Sequence, residues 1–388
     1  MNILLIHNHY GGFSGETAVL EKHLSLLKKE GHEIHTYTRS SAEINSTNTG
    51  KIKAFFTGVY NPSSNRKVKH LLDTLRPDLV HIHNLYPLIS PSILKEVRKA
   101  GIPVVMTVHN YRLICPNGLF YNRHDICELC SSGREWNCIL QNCEQSLIKS
   151  IGYAARNAWA RISGSYRDNV SAYLCLTEFQ KRKLVENGFS EERCHIIPNF
   201  LEVDKKENTE HDNNRKGFLF IGRLNSQKGV DILIRAAKQL PSISFRLAGS
   251  ADHDFIDTGN LPSNVEWLGI IDNGEKKKEL QNAIAMVFTS RSYEGFPMVF
   301  LEAMEESLPV IAPDLAGYPE IIRNGRNGLL FKPQDVNDLT KKIKYFNDNK
   351  QHAFKYGHEG RVILESEYSQ EVWYDEYLRV VQNLMKKV

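Results

Sequence analysis

The sequence predicts an α/β protein of two doubly wound, Rossmann-like domains facing each other across a cleft, with a C-terminal helix returning to the first domain. Three observations carry this reading. Short apolar runs alternate with helical spacing along the chain; that β-loop-α grammar stops at a charged stretch and then restarts; and 388 residues exceed the usual size of a single core. The expected boundaries are 1–200 for the first domain with a Cys-rich insertion at 115–143, 201–216 for a linker, 217–365 for the second domain, and 366–388 for the returning helix.

Hydrophobic residues at 41% and charged residues at 24% are ordinary for a globular protein, and a net charge of +4 is too mild to argue for nucleic acid. The apolar start Met1–Ile6 stops at His7, too short for a signal peptide, and no apolar run approaches membrane-spanning length. A cytoplasmic protein is expected, with contact at the inner face of the plasma membrane left open.

In the first domain, a strand Asn2–Ile6 leads through a loop containing Gly11, Gly12 and Gly15 into a helix from Glu16 to Glu30, whose apolar side is Val19, Leu20, Leu24 and Leu27. Gly31 ends it, and a strand Glu33–Tyr37 follows. The glycine spacing is not the dinucleotide fingerprint, but it suits close backbone approach to a ligand. After the polar, irregular residues Ser40 to Arg66 come a helix Lys67–Leu75, a strand Leu79–His83, a helix Pro91–Ala100 and a strand Val104–Val108. The last delivers His109 to a strand's carboxyl end, where open α/β sheets bind ligands; a histidine there is either catalytic or a loop-packing residue. Ser146 to Arg167 has helical spacing, with Tyr153, Trp159 and Ile162 beside Arg156, Arg161 and Arg167, and reads as a helix packed on its own sheet or facing a membrane. A strand Leu174–Thr177 and a helix Glu178–Asn187 complete this half.

Five of the seven cysteines fall between Cys115 and Cys143. Cys127-x-x-Cys130 has the turn spacing of a zinc knuckle, and Cys115 and Cys143 could supply two more thiolates, with Cys138 spare or exchanged for one of them. Structural zinc, free buried thiols and an empty, reduced cluster are the readings of these residues.

The grammar restarts after the charged stretch Glu202 to Arg215: strand Gly217–Ile221, loop Gly222-Arg223-Leu224-Asn225-Ser226-Gln227-Lys228-Gly229, helix Val230–Leu240, strand Ser244–Ala248. Two cations, Arg223 and Lys228, beside unpaired helix N–H groups are what a diphosphate requires. Farther on, the apolar run Ala285–Phe288 is followed by the polar loop Ser290–Gly295 and a helix start at Phe296 or Pro297, with Pro297 favoured at the first helical position. Glu294 stands just ahead of this helix and Glu302 about one and a half turns inside it, so the two acids touch different parts of one ligand. Asp252-His253-Asp254 has a metal-binding form but is read as a chance match, since the cations already supply charge for a phosphate. A helix Val372–Met385 carries Trp373, Tyr374 and Tyr377.

At this point the sequence resembles the GT-B retaining glycosyltransferases of family 4. The likeness is carried by Gly222-Arg223-Leu224 with Lys228-Gly229, by Ser290–Pro297 running to Glu302-Ala303-Met304, by Pro309–Ala312 and by Gly325–Phe331. In the first domain it rests on Ser14-Gly15-Glu16, His109–Arg112, Leu176–Phe179 and Ile197-Pro198-Asn199. Ser307 departs from the glycine usual there. The resemblance implies that Arg223 and Lys228 bind the donor diphosphate, that Glu294 meets the transferred sugar and Glu302 the ribose, and that His109 lies near the reacting carbon. It further implies that Gly15 lets backbone approach a ligand, and that Gly295, Phe296, Pro297, Met298 and Val299 wall the donor site. No catalytic cofactor is implied.

The expected activity is transfer of a hexosyl or N-acetylhexosaminyl group from a UDP- or GDP-linked donor to a cell-surface glycan intermediate, such as a polyprenyl-diphosphate-linked capsule, O-antigen or exopolysaccharide precursor. A sugar-nucleotide epimerase and a non-catalytic glycan- or nucleotide-binding subunit are the alternatives.

Overall fold

The computed structural model describes residues 1–10, 15–44, 57–203 and 215–386. Gly11, Gly12 and Ser14 of the first glycine loop, much of the irregular stretch after Ser40, and all but the ends of the expected linker lie outside the described residues. The chain forms two compact α/β units. The first comprises Met1–Phe120, Cys127–Asn199 and Trp373–Val388, and the second Tyr121–Ile126 and Phe200–Val372.

The first unit is a six-stranded, all-parallel sheet in the order β2-β1-β3-β4-β5-β6, from β1 (Asn2–His9), β2 (Glu33–Ser40), β3 (Leu79–Asn84), β4 (Val104–Thr107), β5 (Ala172–Cys175) and β6 (Cys194–Ile196). Ile3 to Ile6 are fully buried, as a strand covered on both faces requires. β1 runs three residues past its expected end because His7 pairs with Thr38 and Asn8 with Arg39. The helix Pro62–Leu75 begins five residues early, since the Asn61 side chain accepts from the Ser63 and Ser64 N–H groups and Pro62 fits its first turn. At the end of the chain the helix Gln370–Met385 brings Trp373 and Tyr377 into this unit's core, against His23 and His81.

The second unit repeats the pattern as β12-β11-β10-β7-β8-β9, from β7 (Phe218–Ile221), β8 (Phe245–Ala248), β9 (Val265–Gly269), β10 (Ala285–Val287), β11 (Val310–Pro313) and β12 (Gly328–Phe331). Its core includes Phe218, Phe220, Leu233, Phe245, Phe331 and Phe346. Strand order reverses between β7 and β10, so the loops leaving these two neighbours flank the switch point where such sheets bind ligands. Tyr121–Ile126 forms a tight turn closed by a Tyr121–Ile126 bridge; the Tyr121 hydroxyl lies 2.8 Å from Ser226 Oγ, on the loop after β7.

Ser307 follows the helix Met298–Glu305 with φ of 49°, a left-handed conformation that favours glycine. Ser307→Val is therefore expected to lower stability by about 1–2 kcal/mol and Ser307→Gly to leave it equal or slightly higher, both read from denaturant midpoints.

Candidate active site

The loop after β7 is built to hold Lys228. Gly229 adopts φ of 64°, and a Cβ there would lie 2.2 Å from the Thr289 carbonyl oxygen, so glycine lets this loop close onto the end of β10. Thr289 Oγ1 donates to the Lys228 carbonyl at 2.8 Å, and Asn225 Oδ1 accepts the Lys228 N–H at 3.0 Å. The loop after β10 is fastened to the same place. Arg291 donates to Ser226 O at 2.9 Å and forms two 2.7 Å bonds with the Asp231 carboxylate, while Gln227 donates to Ser292 Oγ at 3.0 Å. The buried Tyr318 hydroxyl donates to Ser292 O at 2.6 Å and accepts the Glu294 N–H at 3.3 Å.

These anchors bring together two of the expected site residues: Lys228 Nζ and Glu294 Oε1 are 2.7 Å apart, both mostly buried. The ammonium also sits 5.7 Å from the Phe288 ring centroid. Arg223 is exposed and held loosely, donating to Gln227 Oε1 at 3.5 Å. Gly295, Phe296 and Pro297 are buried, with Phe296 edge-on to Tyr368. The helix starts at Met298, one residue later than the expected place for Pro297: ψ of 106° makes Pro297 the cap, its carbonyl accepting the Phe300 N–H at 3.0 Å. Met298 and Val299 form the half-buried first turn. Glu302 is engaged by Lys276 at 2.8 Å through Oε1, while its buried Oε2 has no hydrogen-bond partner among the described residues.

In the first unit, Gly15 opens the helix Gly15–Lys29, and a Cβ added there would meet no protein atom within 4 Å. His109, just past β4, is half-buried; its Nε2 is 2.8 Å from His83 Nδ1 and the two rings stack at 5.1 Å. Burial, and then His81, lowers the His109 pKa to about 3. Burial likewise lowers His7 and His81 to about 3 and His23 and His83 well below the usual imidazole range. The rings form a neutral series: His83 lies 4.5 Å from His81, and His81 Nε2 is 2.9 Å from Thr107 Oγ1. The buried Glu16 carboxyl is raised to about 7 by desolvation, against the pull of the Arg112 guanidinium. Its neighbour Tyr10 accepts a 2.7 Å bond from Arg112.

His83, Glu16 and Tyr121 were not identified as site residues from sequence. The pair His81-x-His83 on an otherwise apolar run was the available signal for the first, because period-two spacing puts both imidazoles on one face of a covered strand.

The zinc reading of Cys115, Cys127, Cys130 and Cys143 is not supported: among the described residues no group of three or more His, Cys, Asp or Glu is arranged to hold a metal ion. The thiols have other neighbours. Cys115 Sγ donates to Asn117 Oδ1 at 3.0 Å, and Cys130 and Cys138 pack on Ala154 in a small apolar cluster edged by Ile139 and Cys143. Burial pushes the Cys115 thiol up to about 11, and Cys130 upward as well. All seven cysteines are free.

Two family models together match nearly the whole chain: residues 14–205 fit glycosyltransferase family 4, and residues 202–362 fit glycosyl transferases group 1. An uncharacterized glycosyltransferase of Methanocaldococcus jannaschii is 28% identical over 373 residues, covering 93% of this chain and 92% of the relative. The poly(ribitol-phosphate) alpha-N-acetylglucosaminyltransferase of Staphylococcus aureus is 26% identical over 55% of this chain and 44% of its own length. Among solved structures, sucrose-phosphate synthase from Thermosynechococcus elongatus superposes with a TM-score of 0.74 at 17% identity, covering all of both chains. Anabaena HepE in complex with UDP gives 0.67 at 17%, covering 99% of this chain and all of the other. At these identities the structures establish the fold.

The titrations have opposite signs. Below about pH 6.5 the unfolded chain takes up protons that the buried imidazoles refuse, so those groups make stability rise with pH between about 3 and 6.5; Glu16 binds its proton more tightly when folded and makes stability fall between about 4.5 and 7. Five imidazoles outweigh one carboxyl. Stability is expected to drop from pH 7 to pH 5, and His23→Phe to recover about 2 kcal/mol of that drop, read from unfolding midpoints at the two pH values.

Proposed function

We propose that this chain, which belongs to the GT-B glycosyltransferases of family 4 (glycosyl transferases group 1), transfers a sugar with retention from a nucleotide diphosphate donor to a lipid-linked cell-surface glycan. The Lys228–Glu294 ion pair at the switch point carries the reading. Each partner neutralises the other at a distance of 2.7 Å until a donor arrives. Lys228 then turns to the diphosphate, and Glu294 accepts hydroxyl hydrogen bonds from the sugar.

The bond from the sugar's anomeric carbon to phosphate breaks as the acceptor oxygen bonds to that carbon on the same face, and the departing phosphate oxygen takes the acceptor's proton. Negative charge grows on the diphosphate. Lys228 and Arg223, once turned to the diphosphate, and the fixed N–H groups at the start of the helix Met298–Glu305 stabilise it, which is the main electrostatic route to acceleration. Glu302, with one buried carboxylate oxygen lacking a partner, is suited to accept from ribose hydroxyls. His109 stays neutral and hydrogen-bonds the sugar through the nitrogen that His83 leaves available.

Several relatives support the acceptor class by their own descriptions. A protein in the cps region of Klebsiella pneumoniae is 26% identical over 74% of this chain and 70% of its own length. The UDP bound by HepE supports a UDP-linked donor here. Residues of the chain meet the phosphates and sugar directly, and no catalytic cofactor enters this scheme. Among the described residues no helix is long and apolar enough to cross a membrane; an enzyme working at the cytoplasmic face fits the proposed acceptor.

Lys228→Ala and Glu294→Ala are each expected to lower kcat/KM at least about 100-fold, roughly 2.7 kcal/mol of transition-state stabilisation; near-wild-type turnover would overturn the assignment. A donor is identified by screening nucleotide sugars for a rise in melting temperature, and consumption of that donor without acceptor would instead mark an epimerase. His83→Leu, which removes the partner of His109 Nε2, should cost about 10-fold in kcat with donor KM within about twofold. An unchanged kcat breaks the link between the two histidines.

A further inference from the structure

The helix Leu147–Ile162 presents its apolar side outward. Leu147, Ile148, Ile151 and Ile162 are 57%, 75%, 39% and 76% exposed. At 3.6 residues per turn these four and the less bulky or half-buried Ala155, Ala158 and Trp159 fall in one arc of about 120° that contains no polar side chain. The opposite side is buried and carries Ser150, Arg156 and Asn157.

Polar contacts hold the helix in this rotation. The Arg156 guanidinium lies over the Tyr86 ring at 3.7 Å and the Tyr153 ring at 4.4 Å, and donates to Pro116 O at 3.3 Å. Asn157 donates to Arg112 O at 2.7 Å, and Ser150 to Asn142 Oδ1 at 3.2 Å. Rolling the apolar arc inward would break all of these and strand a buried cation.

Next to this helix packs the short helix Asn137–Leu140, where Trp136 and Leu140 are 55% and 75% exposed. Of thirteen exposed large hydrophobic residues among those described, six (Trp136, Leu140, Leu147, Ile148, Ile151 and Ile162) belong to these two packed helices and the residue capping the shorter one, a concentration unlike the usual scatter. The cations near it are free and the carboxylates are paired or partly covered. Arg134 and Lys149 are exposed, whereas Glu135 is buried against Arg161 at 2.6 Å, Glu128 pairs with Lys183 at 2.8 Å and Glu144 is half-buried.

We infer that this patch seats the protein on an anionic lipid bilayer, the helix lying in the interface plane with its apolar arc among the acyl chains and Lys149 and Arg134 at the headgroups. Apolar area plus free cations, with the carboxylates paired or partly covered, is the combination such a surface takes up, and an indole at the edge suits the headgroup level. The inference deepens the proposed reading, since a lipid-linked acceptor is held at such a surface.

The experiment is sedimentation of the full chain with vesicles of phosphatidylcholine alone or with about 30% phosphatidylglycerol. Binding is expected to be at least about 10-fold stronger with the anionic lipid, to fall at least about 10-fold in the double variant Ile148→Glu/Ile151→Glu, and to weaken in Lys149→Glu. The thermal midpoint and the donor-induced rise in melting temperature should be unchanged, which separates lost docking from lost folding. Wild-type indifference to anionic vesicles, or undiminished binding by the double variant, overturns the inference. A dimer in sedimentation velocity that the double variant dissociates would give the patch to a second copy and also overturn it. Donor turnover without vesicle binding refutes this inference alone; vesicle binding without turnover of any donor refutes the proposed function alone.

Discussion

Lys228 and Glu294 lie 66 positions apart in sequence and meet at 2.7 Å. Everything around them serves that meeting. The Gly229 turn brings one loop onto the end of β10, Arg291 ties the other loop to Asp231, and Tyr318 fixes the backbone from which Glu294 projects. Each charge of this partly buried pair offsets the desolvation of the other, because one charge left alone there is costly. The pair and its anchors form one hydrogen-bonded cluster at the end of two neighbouring strands.

The fold was legible because parallel strands covered on both faces must be apolar and must be separated by crossover helices, and both signals are strong in this chain. The loops that carry Arg223, Lys228 and Glu294 were legible for a related reason: glycine and proline mark where each strand hands over to a helix. What lay outside reach was partnership. Nothing in Lys276 says that it will hold Glu302, and nothing in Ser226 says that Tyr121 will reach it. The first strand outruns the end its apolar residues predict because His7 and Asn8 look like loop residues until the sheet closes around them.

The cysteines teach the converse. Cys127-x-x-Cys130 suggested a metal by spacing, but spacing constrains only one pair, and a ligand set needs four sulfurs converging on one point. Here the buried thiols pack with Ala154 or hydrogen-bond to Asn117 and behave as small apolar side chains. The helix Leu147–Ile162 went differently: its spacing showed an apolar stripe, and only the contacts of Arg156 and Asn157 decide which way the stripe points.

The division of the chain has a consequence for modularity. The backbone passes from one unit to the other four times, at 120/121, 126/127, 199/200 and 372/373, so neither unit is a continuous stretch of sequence. A chimaera that exchanges the second unit at the 204–214 segment would leave Tyr121 behind, facing a foreign loop in place of Ser226. Recombination between relatives therefore has to carry six residues of the insertion, Tyr121–Ile126, along with the second unit, which couples the insertion to the loop after β7.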